Sequence, residues 1–262
     1  MVFNRKGLAM QQIVKLLTFG VKILGIQRVV ASVLLLPLAA IAGVSSCEVA
    51  SGERLTPVIE LYTSEGCSSC PPADQWLSAF KGKPVVAQAF HVAYWDYIGW
   101  TDRFASPAFA ARQKNFAATN GLSGIYTPQV ILNGHDWRNW RQSQAIEIAS
   151  KARASITLRR TNGADEFEAH VAPAGAVKAW TAYWTVTENG HNSRVKAGEN
   201  SGEFLKHDFV VRQYVTSGVF HGPQPLKLSG VAAPPDHPRQ VNLVVTDGVN
   251  GEPLQAVSLQ CL

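Results

Sequence analysis

VIELYTSEGCSSCPPAD, residues 58–74, reads as a strand, a turn and the opening of a helix in direct succession. Val58 to Tyr62 is a short apolar run of the length a buried strand takes, broken only by Glu60. Thr63-Ser64-Glu65-Gly66 has the composition of a turn. A helix is expected from Cys67 to Phe80, with Pro71 and Pro72 in its first turn, where a missing N–H leaves no intrahelical bond unmade. Trp76, Leu77 and Phe80 form its apolar side, and Gly82-Lys83-Pro84 ends it.

Downstream, Val85 to Val92 reads as a second, central strand. Residues 94–121 are rich in aromatic side chains, with a helix expected from Pro107 to Thr119 and Gly121 as its stop. Tyr126-Thr127-Pro128-Gln129 leads into the strand Val130-Ile131-Leu132, closed by Asn133-Gly134, and a further helix is expected from Trp140 to Ala154. Strands alternating with helices are the pattern of an α/β domain. From about residue 154 the texture changes to short strands at 154–160, 166–172, 177–187, 207–215, 225–229, 240–246 and 255–260, separated by Gly, Pro and Asn, as in a β-sandwich-like body. Within 177–187 the alternation is incomplete, which suits a strand covered on both faces. The expected organisation is a leader over 1–46, a polar linker over 47–56, an α/β domain over 57–153 with a helical insertion before the strand that follows Pro128, and a β-rich domain over 154–262.

The formal charge of +5 is a property of the leader. Residues 1–46 hold Arg5, Lys6, Lys15, Lys22 and Arg28 and no acid, so the remaining chain carries 19 basic and 19 acidic residues. A neutral body gives no reason to expect a nucleic-acid partner. Residues 29–44, VVASVLLLPLAAIAGV, form an uncharged core behind scattered positive charges, the pattern of a signal peptide. The stretch is short for a membrane span and contains Pro37. Val44-Ser45-Ser46-Cys47 resembles a lipoprotein signal in which Cys47 carries lipid. Membrane contact is therefore expected only through lipid on Cys47 or through an uncleaved signal. The expected location is outside the cytoplasm, in the periplasm or envelope or secreted, where disulfides persist. Cys47 also has a competing reading, a disulfide to Cys261 that ties the two ends of the body.

Cys67-Ser68-Ser69-Cys70 is the chemical centre of the sequence. A CxxC is read as a redox pair, half of a zinc site or a plain clip. Its place after an apolar strand and at a helix start favours redox chemistry. Unpaired backbone N–H groups and the positive end of the helix dipole stabilise a thiolate there, and the thiolate is the reactive form. Cys67, exposed, would attack a partner disulfide, and buried Cys70 would resolve the mixed disulfide. Ser68 and Ser69 add no charge, so a pair of intermediate redox character is expected. Thr127-Pro128, just before a strand, resembles the cis-proline step that faces the CxxC in thioredoxin-like folds and is therefore expected to be cis, a form nearly confined to proline. Asp74, one turn beyond Cys70, and Glu60, in the preceding strand, are candidate proton acceptors. His91, Tyr94, Trp95 and Asp96 form an aromatic, acidic rim after the second strand, where open α/β sheets place ligands.

VIELYTSEGCSSCPPAD (58–74), FHVAYWDYIGWTDRFASPAFAARQ (90–113), GIYTPQVILNG (124–134) and GENSGEFLKHDFVVRQ (198–213) together resemble an uncharacterised bacterial secreted family with a thioredoxin-like domain, domain of unknown function 1223. The resemblance implies that fold, an attached β-rich domain and export; it implies no substrate. Carried over by position, Cys67 and Cys70 match the family's pair, Pro128 its Thr-Pro step, and His91, Tyr94, Trp95 and Asp96 its aromatic–acid cluster. Glu199 and Asn200 match the GEN step, and His207 and Arg212 the last segment, where Asp208 stands in place of Asn. Should Glu199, Asn200 or Arg212 reach Cys67, the two domains would form one composite cleft. Against thioredoxin itself, no Trp precedes the pair and Glu60 sits one residue further from Cys67 than that protein's buried acid. A longer stretch before Pro128 leaves room for an inserted helix and a lid over the site.

Three functions fit these residues: a thiol–disulfide oxidoreductase acting on protein or small-molecule thiols and disulfides; a binding or assembly module with Cys67–Cys70 as a structural clip; or a metal-binding protein using Cys67, Cys70 and His91. No cofactor is read from the sequence.

Overall fold

The computed structural model describes residues 47–142, 146, 150–161, 165–232 and 234–261; the signal reading of residues 1–46 lies outside them. The chain order is β1 (Glu48–Ala50), β2 (Val58–Thr63), α1 (Pro71–Ser78), β3 (Val86–His91), α2 (Pro107–Thr119), β4 (Gln129–Leu132) and β5 (His135–Asp136). There follow β6 (Ala154–Arg160), β7 (Glu166–Pro173), β8 (Trp180–Glu188), β9 (His191–Arg194) and β10 (Phe204–His207). The last strands are β11 (Val210–Thr216), β12 (Gln224–Ser229), β13 (Arg239–Asp247) and β14 (Pro253–Leu259). Short 3₁₀ turns cover Ala93–Ile98 and Trp140–Gln142. Among the described residues, no helix is long and apolar enough to cross a membrane.

The fold is mixed α/β. A β-α-β-α core is extended by later strands into one eight-stranded sheet of order β14-β13-β8-β11-β3-β2-β4-β5. β2 and β3 run parallel in register Val58↔Val86 through Thr63↔His91, and β4 returns antiparallel on β2. The join to the later strands is β11 on β3: Ala89 donates its N–H to the Phe209 carbonyl at 2.8 Å. Residues on both sides of 153 thus complete one another's backbone hydrogen bonds. A second sheet, β1-β6-β7-β12, packs Ile156, Leu158, Phe167 and Val171 against Trp180, Trp184, Leu243 and Leu254 of the large sheet.

β8 is covered on both faces, as its irregular alternation indicates. Trp180, Ala182, Trp184 and Val186 enter the core between the sheets. Tyr183, Thr185 and Thr187 are buried on the other side. There Thr185 donates to Gln88 Oε1 at 2.6 Å, and Asn242 Nδ2 donates to the Thr185 and Thr187 hydroxyls at 3.1 Å each.

Several expectations change in the structure. The helix after the CxxC begins at Pro71 rather than Cys67, with Cys70 at its N-cap position, and ends at Ser78. Of the helix expected over 140–154, Trp140–Gln142 is a 3₁₀ turn and Ala154 already belongs to β6, while residues 143–145 and 147–149 lie outside those described. Part of the stretch read as a linker is strand β1, which pairs with β6 in register Glu48↔Arg159. That short polar segment has no strand periodicity of its own; the β6 edge supplies its partners. The structure joins Cys47 to Cys261 in a disulfide, so in this state the Cys47 sulfur is not free to carry an acyl chain.

Candidate functional site

Side-chain alternation along β2 divides the candidate residues between two faces. Ile59 and Leu61 point toward α1, where they pack with Ala73, Leu77 and Phe80. Thr63 shares that face, and its hydroxyl donates to Asp74 Oδ2 at 3.0 Å. Glu60 and Tyr62 point the other way, toward α2. Glu60 receives Arg112 Nη2 at 2.6 Å and Nε at 3.0 Å, with Tyr183 and Tyr62 hydroxyls at 2.8 and 3.1 Å. Burial alone would raise the Glu60 carboxyl, but the Arg112 charge and these donors outweigh it and hold it below the ordinary carboxylate range. The structure therefore puts Glu60 on the face opposite the helix that carries Cys70, as a structural ion pair rather than a relay.

Cys67 and Cys70 form a disulfide in the turn that leads into α1. Ser64 O accepts the Cys67 N–H, and Cys70 O accepts the first free N–H groups of the helix, from Ala73 and Asp74. Cys70 is fully buried, as expected, but so is Cys67, at 1% exposure. The turn Gly198-Glu199-Asn200, brought in from the second half of the chain, binds the backbone of the cysteine loop. Asn200 Nδ2 donates to the Glu65 and Cys67 carbonyls at 2.8 and 3.0 Å, and the Ser68 N–H donates to Glu199 Oε2 at 3.0 Å. The turn lies flush because Gly198 has φ +75° and no side chain; a Cβ there would meet Ile98 Cδ1 at 2.9 Å. Of the three residues expected near Cys67, Glu199 and Asn200 reach its loop. Arg212 is elsewhere, 3.3 Å from Glu188.

The Thr127–Pro128 peptide is cis. Trp95 connects it to the cysteine loop: its Nε1 donates to Thr127 Oγ1 at 2.8 Å, and its Cβ would lie 2.9 Å from a Cβ added at Gly66. Tyr94 donates to Gln113 Oε1 at 3.2 Å, and Gln113 Nε2 donates to Tyr126 O and Gln129 Oε1 at 2.8 Å each, clamping both sides of the cis peptide. Asp96 accepts the Asp102 N–H at 3.2 Å and shapes the loop; burial raises its carboxyl. The inserted helix α2 is no lid. Phe109 packs with Tyr62, Phe90 and Ile131 on the Glu60 face.

Beside α1, at the carboxyl ends of β2 and β3, lies a buried polar cluster that the sequence reading caught only in part. His91 Nδ1 and Asp102 Oδ2 are 2.7 Å apart. Asp102 also accepts the Glu65 and Phe104 N–H groups at 2.9 Å each. Burial opposes its charge, yet His91 and those two donors hold its carboxyl at about 2. For His91, burial favours the neutral ring, while Asp102 overrides it and moves the imidazole up. Asp74 moves up because burial outweighs its neighbours. His207 Nε2 lies 3.2 Å from Glu65 Oε1, outside hydrogen-bond geometry, while Trp100 Nε1 donates to Glu65 Oε2 at 2.7 Å. Glu65 and Asp102 carry no periodic signal; only Glu65's place beside Gly66-Cys67 could have flagged it. Asp208 pairs with Lys81 at 2.8 Å and accepts the Gly190 N–H.

The family model described as "Protein of unknown function (DUF1223)" matches residues 58–246. The chain belongs to this family. Among solved structures, this DUF1223 protein is similar to protein AGR_C_4864 from Agrobacterium tumefaciens, at 28% identity and TM-score 0.58, covering 80% of this chain and 96% of that one. It also shares a fold with HBP35 of Porphyromonas gingivalis, at 14% identity and TM-score 0.58, covering 79% of this chain and 76% of that one. No curated protein matches it. The DUF1223 match spans the cysteine pair, the cis-Pro step and the Glu199-Asn200 turn, so the residues of the composite site all fall within the family's own extent.

Proposed function

We infer that this protein is an exported thiol–disulfide oxidoreductase on a thioredoxin-like scaffold, acting on protein or small-molecule disulfides and thiols. The observation that carries the reading is the Cys67–Cys70 disulfide at the start of α1, linked through Trp95 to a cis Thr127–Pro128 step. In the reduced protein the Cys67 thiolate attacks one sulfur of a partner disulfide and expels the other as thiolate. The Cys70 thiolate then attacks Cys67, restoring Cys67–Cys70 and releasing the second partner thiolate. Two electrons pass to the partner. Thr127, Trp95 and Tyr94 would line the substrate side, and Asp74 would accept the Cys70 proton. The leader pattern and the two disulfides support export.

Burial of both cysteines, with Asn200 bonded to the backbone of their loop, favours a second reading, an inert clip on a binding module. The reduction potential of the Cys67–Cys70 peptide decides between them, read by alkylation mass spectrometry across a glutathione series. A value between about −270 and −120 mV, abolished in Cys67→Ser, supports exchange chemistry. A value below about −300 mV, with native Cys67 unreactive, leaves the clip.

A further inference from the structure

We propose that Asp74, His91 and His207 form a binding site for a divalent transition-metal ion of the zinc type. One ligand atom from each of these three residues lies within 4.8 Å of the other two, and all three residues are buried. They come from α1, the end of β3 and the end of β10, three elements that meet only in the folded chain.

Unmet nitrogen valences point to a ligand. His91 Nδ1 is engaged by Asp102, yet His91 Nε2 is buried with no hydrogen-bond partner, and so are both nitrogens of His207. Buried polar atoms are paired in nearly all native sites, and an orphaned one costs its full desolvation. Phe104 packs against both imidazoles, with ring centroids 5.2 and 5.6 Å away, and offers neither a partner. A cation between the rings would satisfy His91 Nε2 and one nitrogen of His207.

The surroundings suit a metal centre. Ligand imidazoles commonly present their second nitrogen to a carboxylate, which fixes the ring and raises its basicity. Asp102 does this for His91, and Glu65 Oε1, itself buried without a hydrogen bond, stands 3.2 Å from His207 Nε2. Thr63 holds Oδ2 of Asp74. Two imidazoles and one carboxylate are a donor set that zinc and its first-row neighbours take, with a fourth position left for water or substrate. Donors at 2.0–2.1 Å from a tetrahedral ion lie about 3.4 Å apart, so binding draws the three side chains inward. A surface cleft of about 350 Å³ has Asp74 and His207 in its lining, beside Lys81, Lys206 and Asp208.

The proposal shares Asp74 with the oxidoreductase reading, so its test removes Cys67 and Cys70 and reads metal binding alone. The full chain carrying Cys67→Ser and Cys70→Ser is stripped with chelator and titrated with Zn²⁺ by calorimetry, with metal content measured after dialysis and unfolding temperature measured with and without Zn²⁺. One equivalent per chain and a rise in unfolding temperature are expected. Asp74→Asn and His207→Gln should each weaken binding at least tenfold, and Asp102→Asn, a positioning change, by about 10- to 100-fold. His170→Gln, on an exposed strand position, should change nothing. The apo-protein circular dichroism of each variant establishes that it is folded. Less than a tenth of an equivalent in the chain lacking Cys67 and Cys70, no thermal shift, or Zn²⁺ binding unaltered by both Asp74→Asn and His207→Gln would overturn the site.

Discussion

Replacing Asn200 by Ala should unmask the cysteine pair. Asn200 is buried and its amide is the donor to two carbonyls of the cysteine loop, those of Glu65 and Cys67. At about 1 kcal/mol net for each hydrogen bond, the turn loses roughly 2 kcal/mol of its hold on the loop. A free-energy change of 1.4 kcal/mol is tenfold in a population, so the open form should rise roughly 30-fold. If attack on Cys67 requires that opening, dithiothreitol should reduce Cys67–Cys70 about 30-fold faster in Asn200→Ala than in the parent chain. The assay is quenched alkylation with mass spectrometry of the Cys67–Cys70 peptide, with Cys47–Cys261 as the internal reference. Glu199→Gln, which weakens an exposed acceptor for the Ser68 N–H, should give a smaller increase. A change under twofold in a folded Asn200→Ala chain would refute the reasoning, because the sulfurs would then be reached without moving the turn.

Glu60→Gln should destabilise the fold by about 3 kcal/mol, because it leaves the Arg112 guanidinium buried against an uncharged partner. Since the folded Glu60 pKa lies below its ordinary value, the pair's contribution is present above about pH 4.3 and is lost as pH falls through the folded value. Urea midpoints measured from neutral pH downward should show that acid loss in the parent and a smaller one in Glu60→Gln; parallel curves would count against it. Gly66→Ala should cost about 1–3 kcal/mol, since the new Cβ would lie 2.9 Å from Trp95 Cβ, near the backbone where little can give. An unchanged unfolding temperature would show that the loop has slack. Breaking Cys47–Cys261 with paired Ser substitutions releases a closure of 214 residues and should cost on the order of 4 kcal/mol, or roughly 10 °C in unfolding temperature. A shift within 2 °C, taken as about half a kcal/mol, would mean that other contacts hold the two ends.

Where a segment's own periodicity and end signals set its structure, the sequence alone was sufficient. α2 runs from Pro107 to Thr119 as expected, because Ser106 accepts the Ala108 N–H as its cap and Pro107 opens it. β6 occupies 154–160 as expected, since Ala154, Ile156 and Leu158 alternate with exposed or half-buried neighbours. Cys67, Cys70 and the Thr127–Pro128 step were legible as a motif because local backbone chemistry defines them. Strand pairing was not legible. Nothing within 210–216 says that β11 will lie beside β3, because a hydrogen-bonding edge carries no address in its residues. The same holds for Glu60, whose face depends on which way the β2 pleat meets α1. It holds too for Asn200, which reaches the Cys67 carbonyl only when two segments 133 residues apart are packed together. The Asp74–His91–His207 cluster is the strongest case. Each residue is ordinary in its own segment, and only the meeting of a helix start and two strand ends makes three buried donors converge.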